Sequence, residues 1–344
     1  MDDTAWRDAD LLSRGAHWSD AGPAWEAVAV ACAAAGAETR CKEAWSRAAD
    51  AYRRDDRPVA GARALRAAWD LGQDTTLDAA QLAAVLLDVG EVQAALDIAT
   101  IGAARATDPV NRAVALDTSV GVMLAAARVD EARTALEALR GLGLPGGELA
   151  ATFRAAQIAR LDGDLSAAAA GFQAIVDATE GFPAAAGAEA AAWSELAELH
   201  ELAHALTNGA DHLAAAHAAV ESAAEAWQRA RRRAGRMRAE AWEVRLDRLR
   251  GLAIVPTPIH RALTYARERQ LPCLEADLLG CLAVATRNPT DAGHALERLA
   301  GFPLARGRAR VLQAECGGHA DLGTALTELA GDGPWTERAR RLVT

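Results

Sequence analysis

Apolar residues recur along most of this chain at spacings of three and four, in stretches separated by short polar segments. That spacing places the apolar side chains on one face of a helix, and stretches of about 12 to 18 residues suit helices of ordinary length. The alternation of β-branched and polar residues that is typical of strands does not occur. The pattern therefore predicts an all-α protein.

A small residue returns early in the second helix of successive predicted helix pairs. A glycine or alanine at that point lets two helix axes approach closely. The intervals are 34, 37 and 36 residues in a first run and 33 residues in a last pair, which is the period of stacked helical hairpins. The positions are Gly61, Ala95, Ala132, Ala168, Ala292 and Ala325.

The second hairpin carries the clearest signals. We predict one helix over residues 41–54, a turn over residues 55–57, and a second helix that begins at Pro58, where a missing N–H is tolerated. In the first of these helices Trp45, Ala48, Ala49 and Tyr52 match the W-x-x-L-G-x-x-Y pattern. The hairpins thus resemble tetratricopeptide repeats, which implies a right-handed superhelical α-solenoid of about eight to nine antiparallel helix pairs.

The resemblance also implies a binding surface. In the repeat family, ligands lie in the concave groove formed by the first helices of the hairpins. This chain lacks the Lys and Asn pattern by which some of these repeats hold chaperone tails. The positions that the resemblance implies for partner binding are Asp50, Arg53, Phe153, Gln157, Arg160 and Glu198.

The period divides the chain into three parts. Residues 1–183 form regular repeats, and residues 184–256 break the period with longer helices. Residues 257–344 resume it and end in a helix over residues 335–342, which we expect to cap the stack because the end of a solenoid needs a polar face.

The irregular part contains an HExxH sequence, His200-Glu201-Leu202-Ala203-His204. On a helix this spacing places both imidazoles on one face, and it resembles the zincin motif, in which the histidines bind zinc and the glutamate activates water. The repeat pattern offers another interpretation, because His200 also falls on its Tyr position and would then pack between helices. We favour the packing role and keep a zinc-dependent peptidase and a non-catalytic metal site as alternatives.

Charge and composition narrow the classes of function. The formal net charge of −10 argues against general nucleic-acid binding, which depends on Lys and Arg. Six arginines between residues 229 and 238 form a basic run, and we expect them to pair with nearby glutamates. The acidic N-terminus and the absence of a long apolar run predict a cytoplasmic protein, and the use of arginine with a single lysine is typical of GC-rich bacterial genomes.

These observations predict an interaction scaffold that binds a partner protein or peptide and needs no cofactor, with zinc as the alternative if the HExxH sequence is catalytic. A third possibility is a ligand-sensing helical arm of a bacterial transcriptional or signalling system. Five cysteines without a CxxC pair indicate neither a disulfide framework nor a zinc ribbon.

Overall fold

The computed structural model describes residues 3–72 and 76–343. Within those residues the chain forms nineteen α-helices, one short 3-10 turn at Pro183–Ala185 and no strand, so the all-α prediction is confirmed. The first nine helices are α1 Asp3–Arg14, α2 Trp18–Ala34, α3 Glu38–Arg54, α4 Pro58–Asp70, α5 Thr76–Asp88, α6 Val92–Arg105, α7 Pro109–Ala125, α8 Val129–Arg140 and α9 Pro145–Asp162. The others are α10 Leu165–Thr179, α11 Ala186–Thr207, α12 Ala210–Arg229, α13 Arg233–Leu249, α14 Thr257–Glu268, α15 Pro272–Thr286, α16 Pro289–Arg298, α17 Pro303–Glu315, α18 Leu322–Glu328 and α19 Gly333–Val343.

The chain divides into two compact units. Unit 1 comprises Met1–Val122 and Arg269–Leu271, and unit 2 comprises Met123–Glu268 and Pro272–Thr344. In each unit, most helices that follow one another along the chain pack against each other. No helix in the described ranges is both long and apolar enough to cross a membrane.

The recurring small residues lie early in the second helices of the hairpins, as predicted. All six are buried, and the five alanines have no exposed surface. At Gly61 an added Cβ would lie 3.7 Å from the carbonyl oxygen of Ala49 and 3.8 Å from Cβ of Tyr52, which is ordinary contact. The helix pair α3–α4 therefore packs closely at this point, and an alanine would still fit.

Gly22 of α2 is a tighter position in the same unit. A Cβ there would lie 2.7 Å from Cε1 of Tyr52. The Tyr52 ring is buried, and its hydroxyl donates a hydrogen bond of 2.6 Å to Glu26, so the ring has little freedom to move aside.

We therefore expect opposite effects from two alanine substitutions in unit 1. Gly61→Ala stabilises by about 0.5–1 kcal/mol because alanine is the better helix former, whereas Gly22→Ala destabilises by about 1–3 kcal/mol through overpacking. Urea unfolding of both variants checks this. Equal effects at the two positions would contradict the packing described for Tyr52.

In unit 2 the C-terminal helix takes part in the core. Helix α19, which we expect from the sequence to cap the stack, contacts α9, α11, α17 and α18. Trp335 and Ala339 of this helix pack in one buried cluster with Leu202 of α11 and Leu312 of α17. The helix α19 thus joins the two ends of unit 2, and the helices α11, α13, α15 and α17 lie around an interior space.

Candidate functional site

Two adjoining cavities lie in the interior of unit 2. The smaller has a volume of about 130 Å³ and the larger about 540 Å³, and Glu201 and Arg245 line both. Arg238 and Arg308 also line the smaller cavity, with carboxylates beside them. The larger cavity is lined by four arginines, Arg245, Arg248, Arg287 and Arg338, but by only two glutamates, Glu201 and Glu315.

A network of arginines and carboxylates connects the helices around the smaller cavity. Glu198 of α11 accepts hydrogen bonds from Arg160 of α9 (2.5 Å) and from Arg308 of α17 (2.8 Å). Arg308 also donates to Asp332, at 2.9 Å from Nε and 2.6 Å from Nη2. Because Asp332 has no exposed surface, its charge depends on Arg308.

The surrounding arginines strongly perturb Glu198. Burial by itself would raise the pKa of this carboxyl, but Arg160 and Arg308 outweigh burial and lower the pKa from 4.5 to about 2. The pKa of Arg308 is raised, because the attraction of Asp332 and Glu198 outweighs the effect of burial. Both groups are therefore charged at neutral pH.

The depressed pKa of Glu198 makes the stability of unit 2 sensitive to acid. A carboxyl with a lower pKa in the folded state contributes stability that is complete above pH 4.5 and is lost as the pH falls towards 2. We expect a loss of about 3 kcal/mol from this group. Urea unfolding between pH 7 and pH 2.5 should show that wild type and Glu198→Gln converge in stability as the pH falls; parallel curves would contradict the assignment.

Glu201, the central residue of the HExxH sequence, is an ion-pair residue in this structure. It is 3% exposed, accepts a hydrogen bond of 2.7 Å from Nε1 of Trp242 and pairs with Arg245. A second arginine, Arg338, lies 4.0 Å away and is itself paired with Glu315. Both carboxylate oxygens of Glu201 therefore have donors, an arrangement unlike that of a free general base.

The two histidines of the sequence also have neighbours. The ring of His200 stacks on that of His212 with centroids 6.2 Å apart, and burial together with His212 lowers the pKa of His200. Nδ1 of His204 lies 3.0 Å from the carbonyl oxygen of Gly209. The geometry does not favour the zinc-peptidase interpretation, because Glu201 faces arginines and an indole.

The residues that the repeat resemblance implied for the groove have different surroundings. Three of them belong to one network. Gln157 donates a hydrogen bond of 2.7 Å to Glu195, and Glu195 lies 3.5 Å from Arg160, which in turn pairs with Glu198. The ring of Phe153 packs edge-on against Phe172 at 5.4 Å. Asp50 and Arg53 lie on α3 in unit 1, where they form an exposed ion pair of 2.8 Å.

Sequence reasoning missed the arginines of the larger cavity. Within the described residues no carboxylate lies within ion-pair distance of Arg248 or Arg287, and Nε of Arg248 is buried without a hydrogen-bond partner. The pKa of Arg245 is raised although burial works against its charge, because Glu201 lies beside it. Arg245 and Arg248 lie on α13, whereas Arg287 directly follows α15 and Arg338 lies on α19, so no local sequence pattern shows that these four side chains meet.

Arginines of the basic run pair with carboxylates on other helices as well as with one flanking glutamate. Arg229 contacts Glu189 at 2.6 Å and Arg236 contacts Glu240 at 2.8 Å. Arg238 is turned towards the smaller cavity and pairs with Asp277 at 3.0 Å. Of the glutamates that flank the run, Glu240 is the one that pairs as we expected.

Comparison with known proteins gives structural matches alone. No family model matches the chain, and no curated protein matches it in sequence. A solved structure of a monomeric IFIT1 mutant with Gppp-AAAA is similar, with a TM-score of 0.51 and 13% identity over 98% of this chain and 80% of that chain. The TPR domain of P58(IPK) aligns with a TM-score of 0.29 and 12% identity over 99% of this chain and 98% of that one. The helices, the hairpin period and the likeness to IFIT1 together show that this chain has a tetratricopeptide-like helical-repeat fold.

Proposed function

We propose that this chain is a protein-interaction scaffold and that the larger cavity of unit 2 receives an acidic segment of a partner protein. The observation that carries the proposal is the surplus of arginine in that cavity, where four guanidinium groups face two carboxylates. The chain as a whole has a net charge of −10, so this positive lining is a local feature.

The two arginines without carboxylate partners are the groups best suited to bind. A guanidinium presents several N–H donors in one plane and forms paired, charge-assisted hydrogen bonds with carboxylates. Arg248 and Arg287 both line the cavity, and neither has an ion-pair partner in the described part of the chain. An acidic side chain of a partner would supply the missing acceptors.

The other arginines of the cavity prepare the site. Arg245 and Arg338 are fixed by Glu201 and Glu315 and are largely buried, so they add positive potential without needing to move. A volume of about 540 Å³ accommodates a few side chains, within the usual range of binding pockets. We infer that two or three consecutive acidic residues fit.

A titration with a hexaglutamate peptide tests this proposal. We expect measurable binding by isothermal titration calorimetry that weakens as salt is added, because charged groups are screened. The double substitution Arg248→Gln with Arg287→Gln should weaken binding at least about tenfold, which corresponds to about 1.4 kcal/mol. Arg140→Gln is the matched control, since Arg140 is an exposed arginine of the same unit that pairs with Glu137.

Three results would overturn the proposal. They are no binding at millimolar peptide, binding that the double substitution leaves unchanged, and tighter binding of an oligoadenylate RNA than of the peptide. The last outcome would indicate that the cavity binds nucleic acid, the kind of ligand present in the IFIT1 structure.

A further inference from the structure

His217 lies among carboxylates of two neighbouring helices in unit 2. It shares α12 with Glu221, one turn further on, and faces Glu243 and Asp247, which are one turn apart on α13. Nδ1 lies 3.6 Å from Glu221, and Nε2 lies 3.9 Å from Glu243 and 3.7 Å from Asp247. Two pairs spaced by four residues thus meet across a helix contact.

The nitrogen–oxygen distances at His217 can be compared with those of hydrogen bonds and of atoms that share a metal ion. A nitrogen and an oxygen separated by 3.6–3.9 Å are too far apart for a hydrogen bond. Two atoms that each lie about 2.0–2.2 Å from a shared tetrahedral ion are about 3.4 Å apart. An imidazole gives one nitrogen to an ion, and one ring nitrogen of His217 lies within 4.8 Å of a carboxylate oxygen of both Glu221 and Glu243, so small side-chain rotations would bring these three groups to ligand distance.

The side chains of this cluster have few other partners in the described residues. Neither ring nitrogen of His217 has a hydrogen-bond partner there, and neither Glu221 nor Glu243 pairs with an arginine, although Asp247 lies 3.6 Å from Arg250. Among the residues that the structure describes, His217, Glu221 and Glu243 are the one group of three or more potential ligands whose atoms all lie within 4.8 Å of one another. Two carboxylates without an arginine or lysine partner suit a divalent ion.

We propose that His217, Glu221 and Glu243, with Asp247 beside them, form a binding site for a divalent transition-metal ion of the Zn²⁺ class. One imidazole with carboxylates is a ligand set that such ions accept. The ion would link α12 to α13. This site is separate from the HExxH sequence, whose glutamate is paired with arginine.

Zinc titration of tag-free protein, freed of metal with a chelator, tests the proposal. We expect one Zn²⁺ per chain with micromolar or tighter affinity by calorimetry, and a Co²⁺ visible spectrum without the thiolate band that a cysteine ligand would produce. His217→Ala and Glu243→Gln should each weaken binding at least about tenfold. The matched control is the double variant His200→Ala with His204→Ala, which should bind zinc like wild type.

Helicity measured by circular dichroism shows whether each variant folds, so a loss of zinc binding can be distinguished from a loss of structure. Glu221→Gln changes an exposed side chain, so it reports on binding even if His217→Ala disturbs the helix contact. Absence of stoichiometric zinc binding would overturn the proposal. So would binding that survives His217→Ala but is lost in the HExxH variant.

Discussion

Replacing Glu201 with glutamine should lower the free energy of unfolding of unit 2 by about 3 kcal/mol or more. The substitution keeps the shape of the side chain but removes the charge that faces Arg245, and both side chains are largely buried. Removing one partner of a buried ion pair leaves the other charge uncompensated, which typically lowers the free energy of unfolding by about 3–5 kcal/mol. Urea unfolding followed by circular dichroism measures the effect.

The matched control is Glu137→Gln, which removes an exposed carboxylate paired with Arg140 in the same unit. Exposed pairs contribute little, so its effect should remain within about 0.5 kcal/mol. A general base of a peptidase is generally dispensable for stability. If Glu201→Gln proved as stable as wild type, the ion-pair role assigned to Glu201 would be wrong.

Arg308→Met should destabilise unit 2 by a similar amount, about 3–5 kcal/mol. This arginine joins α17 to Glu198 of α11 and is the ion-pair partner of Asp332, which has no exposed surface. Without the arginine, Asp332 must either remain charged without compensation or take up a proton. Chemical unfolding at pH 7 measures the loss.

A double substitution separates the loss of charge from the loss of packing. Arg308→Met combined with Asp332→Asn removes both charges of the pair, so part of the stability should return. Additive losses in the double variant would show that the two charges do not depend on each other.

The helices and hairpins were predictable because their signals are local. Apolar spacing, the small residue in each second helix and Pro58 act over fewer than about 20 residues, and each is sufficient to define a helix or a turn. The packing role expected for His200 agrees with its stacking on His212. The division between units within α7, between Val122 and Met123, had no comparable signal.

The site was predictable only in part. The resemblance to the repeat family predicted that Gln157, Arg160 and Glu198 face one groove, and these residues do lie together. Arg308 lies 110 residues from its partner Glu198, so that contact depends on how successive hairpins stack in unit 2. No local sequence pattern indicates a contact between residues so far apart in the chain. The role of the chain as a ligand-sensing arm stays a prediction.

Hydrogen exchange with and without bound hexaglutamate tests most directly whether the interior of unit 2 is the binding site. The account predicts slower exchange in α13, α15 and α17, the helices that carry or precede Arg245, Arg248, Arg287 and Glu315 of the larger cavity. Unit 1 should be unchanged. Slower exchange in α3, around Asp50 and Arg53, without protection in unit 2 would contradict the account.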